Sequence, residues 1–378
     1  MPRRMLLTVL GLLALLHTYI GMRLLPDSGI GAAGIALAVV LLVVLMMLVP
    51  MGLATSRFKH WRYGEQLVWA ALLAMGFFSS LLVLTVLRDG VLIALALAGL
   101  GNAAFSQGSA IGVPLAALAV TVAGLVNARR VARVVEVEVP IADLPKALQG
   151  YSIVQISDVH VGPTIKRRYL EAIVGKVNAL EPDAIAITGD LVDGSVKSLR
   201  AHTEPLATLT ARDGVFFVTG NHEYYSGADE WIAELRRLGV TVLLNEHVTR
   251  ERDGARLVLA GVTDYTAHLF NPAHRSDAQR ALRGAPIDAS VKILLAHQPR
   301  SAARAAAAGF DLQLSGHTHG GQFFPWNLFV PLQQPFTAGL NRLHKLWVYT
   351  SRGTGYWGPP KRFGAPSEIT RVTLVAAL

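Results

Sequence analysis

The chain contains no cysteine among its 378 residues. Disulfide bonds and thiolate metal ligands are therefore excluded, so a metal site here must do without thiolate sulfur. Charged residues are also scarce, at 16% of the chain, whereas hydrophobic residues reach 52%. The shortage is uneven, because nearly every residue before about Val126 is apolar while the remainder has the composition of a globular domain.

Acidic residues are fewer than basic ones, with 26 Asp and Glu against 35 Lys and Arg, and the formal net charge is +9. A basic balance is typical of nucleic-acid binding when basic runs are interleaved with aromatic residues. The sequence has no such run, so we expect no nucleic-acid partner. Basic residues at the ends of membrane segments account for much of the excess more simply.

Four stretches of the first half are apolar enough to cross a membrane, which takes about 20 residues. They are Met5–Gly21, Ile30–Leu53, Leu67–Leu87 and Ile111–Val126. The first, which follows Arg3 and Arg4, has a cleavable signal peptide as its alternative, but three later stretches favour a multi-span anchor. We interpret residues 91–100 as an interfacial or re-entrant segment, and a fifth crossing stays open.

Basic residues predict the orientation of this anchor. With four spans, three basic groups share one side of the membrane and only Arg23 and Arg88 lie on the other. The three groups are Arg3 with Arg4, then Arg57 with Lys59 and Arg62, then Arg129 with Arg130 and Arg133. The positive-inside rule then predicts a multi-pass protein of the inner or plasma membrane with its second half in the cytoplasm. A fifth crossing would reverse that placement.

The second half alternates predicted strands with amphipathic helices, which is typical of an α/β or α+β domain whose sheets are covered by helices. The predicted strands are Val131–Pro140 at a sheet edge, Ser152–Ile156, Ala184–Thr188, Val215–Thr219, Val240–Leu244, Leu257–Ala260, Val291–Ala296, Leu346–Thr350 and Ile369–Val375. The predicted helices are Arg168–Leu180, Asp229–Leu238 and Arg300–Ala308. We therefore expect a transmembrane domain at residues 1–128, a linker and edge strand at 129–147, and a globular domain at 148–378.

Polar side chains follow five of the hydrophobic runs. Ser157-Asp158-Val159-His160 follows the first, Gly189-Asp190-Leu191-Val192-Asp193 the second, Gly220-Asn221-His222-Glu223 the third, His297 the fourth, and Gly316-His317-Thr318-His319-Gly320 the fifth. Open α/β sheets bind their ligands at the carboxyl ends of strands. Each piece alone has an ordinary reading as a helix cap, a turn or a half-buried histidine. Their combination in this order favours a metal site.

This set of side chains suits two divalent cations. Two carboxylates, one amide oxygen and four imidazoles can hold a pair of ions if one carboxylate bridges them. Nitrogen and oxygen donors without sulfur favour Mn, Fe, Zn or Co. Ions about 3.5–4 Å apart clamp both oxygens of a phosphoryl displacement and make a bridging hydroxide available near neutral pH. His222 can stay off the ions and stabilise phosphoryl charge or protonate the leaving alkoxide.

The ordered motifs D-V-H, G-D-L-V-D, G-N-H-E, a lone histidine after a strand and G-H-T-H resemble the calcineurin-like metallophosphoesterases. The extended forms S-G-H-T-H-G-G-Q and S-R-G-T-G-Y-W-G-P-P are similar to a bacterial phosphodiesterase branch that includes transmembrane proteins with a metallophosphoesterase domain. The resemblance covers residues 148–378. It implies two packed mixed β-sheets flanked by helices. With the four predicted spans, the expected architecture is a four-span helical bundle followed by this α/β domain.

The resemblance also implies a role for each motif residue. Asp158, His160 and His319 would hold the first ion, Asp190 would bridge, and Asn221, His297 and His317 would hold the second. His222 would be the acid or the transition-state stabiliser, oriented by Asp193. No arginine follows Asp193, unlike in the protein-phosphatase members, so we expect no phosphoprotein substrate.

Two lesser features concern the substrate. Arg352 lies in a glycine-rich turn, where we predict contact with a phosphate, the alternative being a solvated turn. Tyr224, Tyr225, Trp326 and Trp357 either line an entrance for a lipid tail or are packing aromatics.

Three functions follow from these expectations. The first is a membrane-anchored hydrolase of a phosphodiester or pyrophosphate, with a lipid-linked substrate in the adjoining bilayer. The second is the same chemistry on a soluble nucleotide, with the spans serving only as a tether. The third is a non-catalytic membrane receptor or scaffold that retains the fold. The sequence specifies neither the natural substrate nor the oligomeric state.

Overall fold

The structure is a computed structural model that describes residues 3–52 and 61–377. The described residues form two compact units. The first, which we call the helical unit, comprises Met1–Val126 and Gly358–Lys361. The second, which we call the phosphoesterase unit after the family that its motifs resemble, comprises Asn127–Trp357 and Arg362–Leu378. The domain boundaries expected after residues 128 and 147 stay a prediction.

Four helices make up most of the helical unit. They are α1 (Arg3–Leu24), α2 (Ala32–Gly52), α3 (Gly64–Leu97) and α4 (Ala103–Arg129). All four are long and apolar enough to cross a membrane, as predicted. Apolar side chains from every helix pack together at the centre, among them Ile20, Val49, Phe78 and Val113.

The prediction of a re-entrant segment at residues 91–100 is wrong, and its alternative, an interfacial position, stays a prediction. Residues 91–97 continue α3, which at 34 residues is about 50 Å long. Nothing in Arg88–Leu97 breaks a helix strongly, and α3 ends only where Gly99 adopts φ +70°. The Asn102 side chain then accepts a hydrogen bond from the backbone N–H of Ala104 at 2.8 Å, which caps α4.

Arg88, expected in a loop, lies inside α3 and is buried. Its guanidinium donates to the carbonyl oxygens of Arg23 and Ser106 at 2.9 Å and pairs with Asp27. Buried charges in a membrane bundle require such partners, so this cluster links three helices. Two other residues of the orientation argument, Arg57 and Lys59, lie outside the described residues.

The phosphoesterase unit contains two six-stranded mixed sheets. The strands of the first, in spatial order, are β1 (Arg133–Ile141), β12 (Glu368–Ala376), β2 (Ser152–Ile156), β3 (Ala184–Ile187), β4 (Val215–Phe217) and β5 (Thr241–Val242). The strands of the second are β10 (Gly339–Leu343), β11 (Leu346–Thr350), β9 (Leu312–Ser315), β8 (Val291–Leu295), β7 (Ala255–Gly261) and β6 (Glu246–Arg252). β1 lies at an edge, as predicted.

Six helices cover these sheets. They are α5 (Arg167–Asn178), α6 (Val196–Thr203), α7 (Asn221–Ser226), α8 (Ala228–Arg237), α9 (Ala278–Ala281) and α10 (Ala302–Ala308). The sheets face each other across a core that contains Ile153, Phe216, Leu259 and Leu314. Separate clusters pack helices on the outer face of each sheet, which gives four layers. The expected fold class, two mixed sheets flanked by helices, is confirmed.

Strand register brings the functional loops to one edge. β2, β3 and β4 are parallel, with Ile156 opposite Ile187 and Ile187 opposite Phe217. In the other sheet β8 and β9 are parallel, with Leu295 opposite Leu314. Because these five strands end level with their neighbours, the loops that follow them share the carboxyl edges of the two sheets.

Candidate metal centre

The loops after these strands gather the predicted ligands into two clusters. The first cluster consists of Asp158, His160 and His319, and the second of Asp190, His297 and His317. Within each cluster the candidate ligand atoms lie within 4.8 Å of one another. Sequence positions up to 161 residues apart thus converge on two small polar sites.

In the first cluster, the Nε2 atoms of His160 and His319 are 3.1 Å apart. The Nε2 atom of His319 lies 3.5 Å from Oδ1 of Asp158, whose carboxylate is fully buried. The backbone N–H of His317 donates to both oxygens of that carboxylate at 3.0 Å. This bond ties the second histidine loop directly to the first aspartate loop.

In the second cluster, Nε2 of His297 lies 3.1 Å from Oδ2 of Asp190 and 3.2 Å from Nδ1 of His317. The other ring nitrogen of His297, Nδ1, lies 2.8 Å from the carbonyl oxygen of Thr188. A carbonyl can only accept, so Nδ1 carries the proton. In the neutral ring this leaves the Nε2 lone pair facing the cluster, as a metal ligand requires.

Asn221 supplies an independent test of whether cations fit here. Its Oδ1 atom is buried and has no hydrogen-bond partner among the described residues. An unsatisfied buried amide oxygen costs about 1–3 kcal/mol, so such atoms usually have a partner. The next residue, His222, donates its backbone N–H to Oδ1 of Asp190 at 2.8 Å, which places Asn221 beside the second cluster. An oxygen-seeking cation fits this arrangement.

Backbone conformation singles out the same residues. Asp158, His160, Asp190, His317 and His319 all have positive φ, between 50° and 71°. Left-handed backbone at a residue other than glycine costs on the order of 1–3 kcal/mol and concentrates at functional sites. The strain turns these side chains inward, toward the clusters.

Two glycines allow the loops to approach the carboxylates. A Cβ at Gly220 would lie 2.2 Å from Oδ1 of Asp190, and one at Gly316 would lie 2.2 Å from Oδ2 of Asp158. Neither position can therefore carry a side chain without displacing a candidate ligand.

Asp193 orients two histidines at once. Its Oδ1 atom lies 2.6 Å from Nδ1 of His222 and 3.0 Å from Nδ1 of His160. Both rings must present N–H to this carboxylate, so their Nε2 atoms point the other way. Nε2 of His222 is 3.9 Å from Oδ2 of Asp190, and its side chain retains 15% exposure. His222 is thus reachable by a bound substrate.

Electrostatics favour the protonated form of His222. Burial alone would lower its pKa, but the Asp190 charge and the hydrogen bond to Asp193 raise the pKa to about 9. Burial would raise the pKa of Asp193, yet His160 and His222 hold that pKa well below its ordinary value. Without metal, the pair is an imidazolium and a carboxylate.

The remaining histidines differ in charge. Burial and the nearby His297 lower the pKa of His317 to about 3, and burial with the Arg362 charge lowers that of His319 well below normal. Both rings are therefore neutral, as ligands must be. Despite burial, Asp190 raises the pKa of His297, while His297 and His222 lower that of Asp190.

Sequence reasoning missed Glu223 as a positioning residue, although the G-N-H-E motif contains it. Its buried carboxylate accepts backbone N–H bonds from Gly220 at 2.6 Å, Asp190 at 3.0 Å and Leu191 at 2.8 Å. Burial and the Asp190 charge raise the pKa of Glu223 to about 7. This one side chain joins the loops after β3 and β4.

Arg362 was also missed. Its fully buried guanidinium donates to the backbone oxygen of His319 at 3.0 Å and lies 3.1 Å from Nδ1 of the same residue. It also donates to the carbonyl oxygen of Gly355 at 3.0 Å. In the sequence, Arg362 stands in a glycine-rich stretch without acidic residues. That pattern is too general to indicate its role.

Arg352 has a partner of its own. Its guanidinium pairs with the buried carboxylate of Glu368 at 2.9 Å, and its backbone N–H donates to the same group. Contact with a substrate phosphate stays a prediction. Among the aromatics, the rings of Tyr225 and Trp357 flank that of His222, with centroids 5.2 and 5.7 Å away.

Comparison with known proteins agrees with this description. The calcineurin-like phosphoesterase family profile matches residues 151–321. An uncharacterized metallophosphoesterase of Aquifex aeolicus is 35% identical over 233 residues, which are 61% of this chain and 87% of that protein. One of Bacillus subtilis is 31% identical over 239 residues, 61% of this chain and 81% of its own. The chain therefore belongs to the calcineurin-like metallophosphoesterase family, and the resemblance seen in its motifs is confirmed.

A transmembrane protein with metallophosphoesterase domain from Danio rerio is 42% identical over 262 residues. The match covers 67% of this chain and 60% of the Danio rerio protein. This chain thus spans less than two thirds of that relative.

Proposed function

We propose that this protein is a membrane-anchored hydrolase of phosphodiester or pyrophosphate bonds that works with two divalent metal ions. The convergence of two ligand clusters at the carboxyl edges of the two sheets is the observation that carries the proposal. The unpartnered Oδ1 atom of Asn221 supports it independently. Donors limited to nitrogen and oxygen favour Mn, Fe, Zn or Co.

The proposed ligand assignment follows the two clusters. Asp158, His160 and His319 hold one ion, and Asn221, His297 and His317 hold the other. In this proposal Asp190 would bridge the ions, as the family resemblance implies; its Oδ2 lies near His297 and its Oδ1 accepts from the backbone N–H of His222. When bound, the ions supply a water-derived nucleophile near neutral pH and stabilise charge on the phosphoryl oxygens.

The chain's own residues then handle the leaving group. In this proposal His222 acts in its protonated form, with Nε2 facing the cluster and Asp193 fixing the ring from the opposite side. We infer that His222 donates this proton to the departing alkoxide or stabilises the phosphoryl oxygens. In the same proposal Arg352 keeps its pairing with Glu368 and contacts the substrate phosphate only through the exposed part of its guanidinium.

We also propose that the phosphoesterase unit is cytoplasmic. Four crossings return a chain to the side where it starts, and the basic residues Arg4, Arg62 and Arg129 favour that side as the inside. The membrane in a bacterial cell would be the inner one.

A substrate screen on the purified full chain, loaded with manganese, tests the function. An activated aryl phosphodiester reports the chemistry, while phospholipids, nucleotide-linked lipids and free nucleotides distinguish the substrate class. We expect turnover of the aryl diester that stops on chelation and returns with manganese. A metal-loaded protein inert toward every ester would instead favour a receptor or scaffold, and preference for free nucleotides would favour a simple tether.

A further inference from the structure

An exposed apolar loop follows the histidine turn of the metal centre. Within residues 324–332, here called the apolar loop, large apolar side chains face solvent. They are Phe324, Trp326, Leu328, Phe329 and Leu332. Leu328 is 62% exposed and Leu332 is 80% exposed. Apolar side chains clustered this densely on a folded surface mark an interaction site.

Part of the backbone of the apolar loop is hydrogen-bonded within the loop. Two short 3₁₀ turns, Trp326–Leu328 and Val330–Leu332, form it. The N–H of Phe329 donates to the oxygen of Trp326 at 3.0 Å, and that of Leu332 to the oxygen of Phe329 at 3.1 Å. An apolar medium penalises backbone polar groups that lack hydrogen bonds, so these local bonds suit the loop to such a medium.

The apolar loop is attached to the metal centre. A Cβ at Gly321 would lie 2.2 Å from the backbone nitrogen of Asn327, so the loop packs directly on the turn that carries His319. The side chain of Gln322, in the same turn, bonds both the N–H and the carbonyl of Trp357 at 2.8 Å. The Trp357 ring in turn flanks His222, so exposed apolar groups border the candidate site.

A basic side chain adjoins the apolar loop. Residues 312–367 contain no Asp or Glu, and of their five basic residues Arg342 and Lys345 are exposed, Arg352 pairs with Glu368, and Lys361 and Arg362 are buried. Arg300 lies at the base of the loop, where its guanidinium donates to the oxygen of Gln333 at 2.8 Å. Within the described part of the chain, no carboxylate lies within 4.0 Å of Arg300 or Arg342. Basic groups beside exposed aromatic and aliphatic ones complement the surface of an anionic bilayer.

We propose that the apolar loop is a membrane-docking surface of the phosphoesterase unit. Its side chains enter the boundary between head groups and acyl chains, while Arg300 faces anionic head groups. Trp and Phe are suited to that boundary, since they combine a large apolar area with interfacial solvation. Resting on the proposed function, the inference also names a substrate class: an amphiphilic phosphoester whose phosphate lies at the head-group level of the bilayer.

The absence of cysteine makes a direct test available. A single Leu328→Cys variant of the full chain can carry a nitroxide label without background, in vesicles of phosphatidylcholine with phosphatidylglycerol. Ile287→Cys is the matched control, because Ile287 is apolar, lies in the same unit and is fully exposed. A Leu332→Cys label repeats the measurement at a second position of the loop.

Docking predicts that the labels at 328 and 332 collide severalfold more with membrane-dissolved oxygen, relative to a water-soluble nickel chelate, than the label at 287 does. Equal ratios at all three positions would overturn the inference. This readout involves no catalysis, so it stays informative even if the enzyme assay shows no turnover.

A double variant, Leu328→Ser with Phe329→Ser, tests the substrate class in the full chain. We expect at least a roughly tenfold loss of rate on a phosphodiester embedded in vesicles, with the rate on the soluble aryl diester unchanged. An equal rate on the embedded diester would contradict the substrate class. Absence of turnover on the aryl diester in the unaltered protein would instead defeat the proposed function.

Discussion

The two ligand clusters are held by different kinds of partner. In the first cluster, charged side chains position the histidines: Asp193 bonds His160, and Arg362 contacts His319. In the second, the backbone carbonyl of Thr188 positions His297. A side chain outside the ligand set can be replaced by mutation, whereas a backbone carbonyl cannot. The comparison therefore implies that mutations outside the ligands can disturb the orientation of His160 and His319, whereas no such mutation removes the bond that orients His297.

The largest effect is expected at Asp190, which is a ligand of both metal ions if it bridges them. Asp190→Asn removes a charge that two ions share, so we expect turnover of the aryl diester to fall by about three orders of magnitude or more. Metal analysis should show that both ions are lost. A variant that keeps one ion bound at full affinity would contradict the bridging role.

His222→Ala should separate catalysis from metal binding. We expect both ions to remain and the turnover rate to fall by about 10²–10⁴, the usual size of a general acid–base contribution. The exposed His344→Ala is the matched control and should leave the rate unchanged. Loss of metal from His222→Ala would show that its imidazole is a ligand instead.

Asp193→Asn sharpens the comparison most directly. Asp193 bonds His160 but no member of the second cluster. The amide variant should therefore lower the affinity for the ion of the first cluster by about 10–100-fold and leave the affinity for the other ion unchanged. The rate should fall too, since His222 loses its orienting carboxylate. Manganese titration followed by electron paramagnetic resonance measures the two affinities. An equal loss of affinity for both ions would contradict the distinction between the two clusters.

Glu223→Gln tests how firmly the Glu223 carboxylate holds the backbone of the loops after β3 and β4. The amide places an N–H₂ group against the N–H groups of Gly220, Asp190 and Leu191, which should cost about 1–3 kcal/mol of unfolding free energy. Denaturant unfolding in detergent measures it, with the exposed Glu138→Gln as control. Unchanged stability would mean that the loops hold their shape without this carboxylate.

Arg352→Ala should have the smallest effect. Since Glu368 already pairs with its guanidinium, we expect KM for the aryl diester to rise less than about tenfold and kcat to change little. A loss of kcat approaching that of His222→Ala would instead place Arg352 on the reacting phosphate.

Much of the architecture could be predicted from local sequence patterns. Buried strands such as β2 and β3 are continuous apolar runs, and the polar residues just after them follow directly from the chain. By contrast β6 and β10 were missed, because these edge strands are only partly buried and lack a clear apolar pattern. The continuation of α3 was missed because hydropathy does not indicate where a long apolar helix ends.

The candidate site divides along similar lines. Motif residues such as Asp158 and His317 could be named from the sequence, because their side chains face the centre itself. Glu223 and Arg362 could not, since they act by bonding backbone groups whose positions depend on the folded loops. The left-handed backbone at Asp190 is likewise invisible without coordinates.

Metal content per chain tests the central claim most directly. The purified full chain, loaded with manganese and desalted, is analysed for bound ions alongside turnover of the aryl diester. The account predicts two ions per chain, with turnover lost on chelation and restored only when both ions return. Full turnover with one ion bound, or with none, would contradict it.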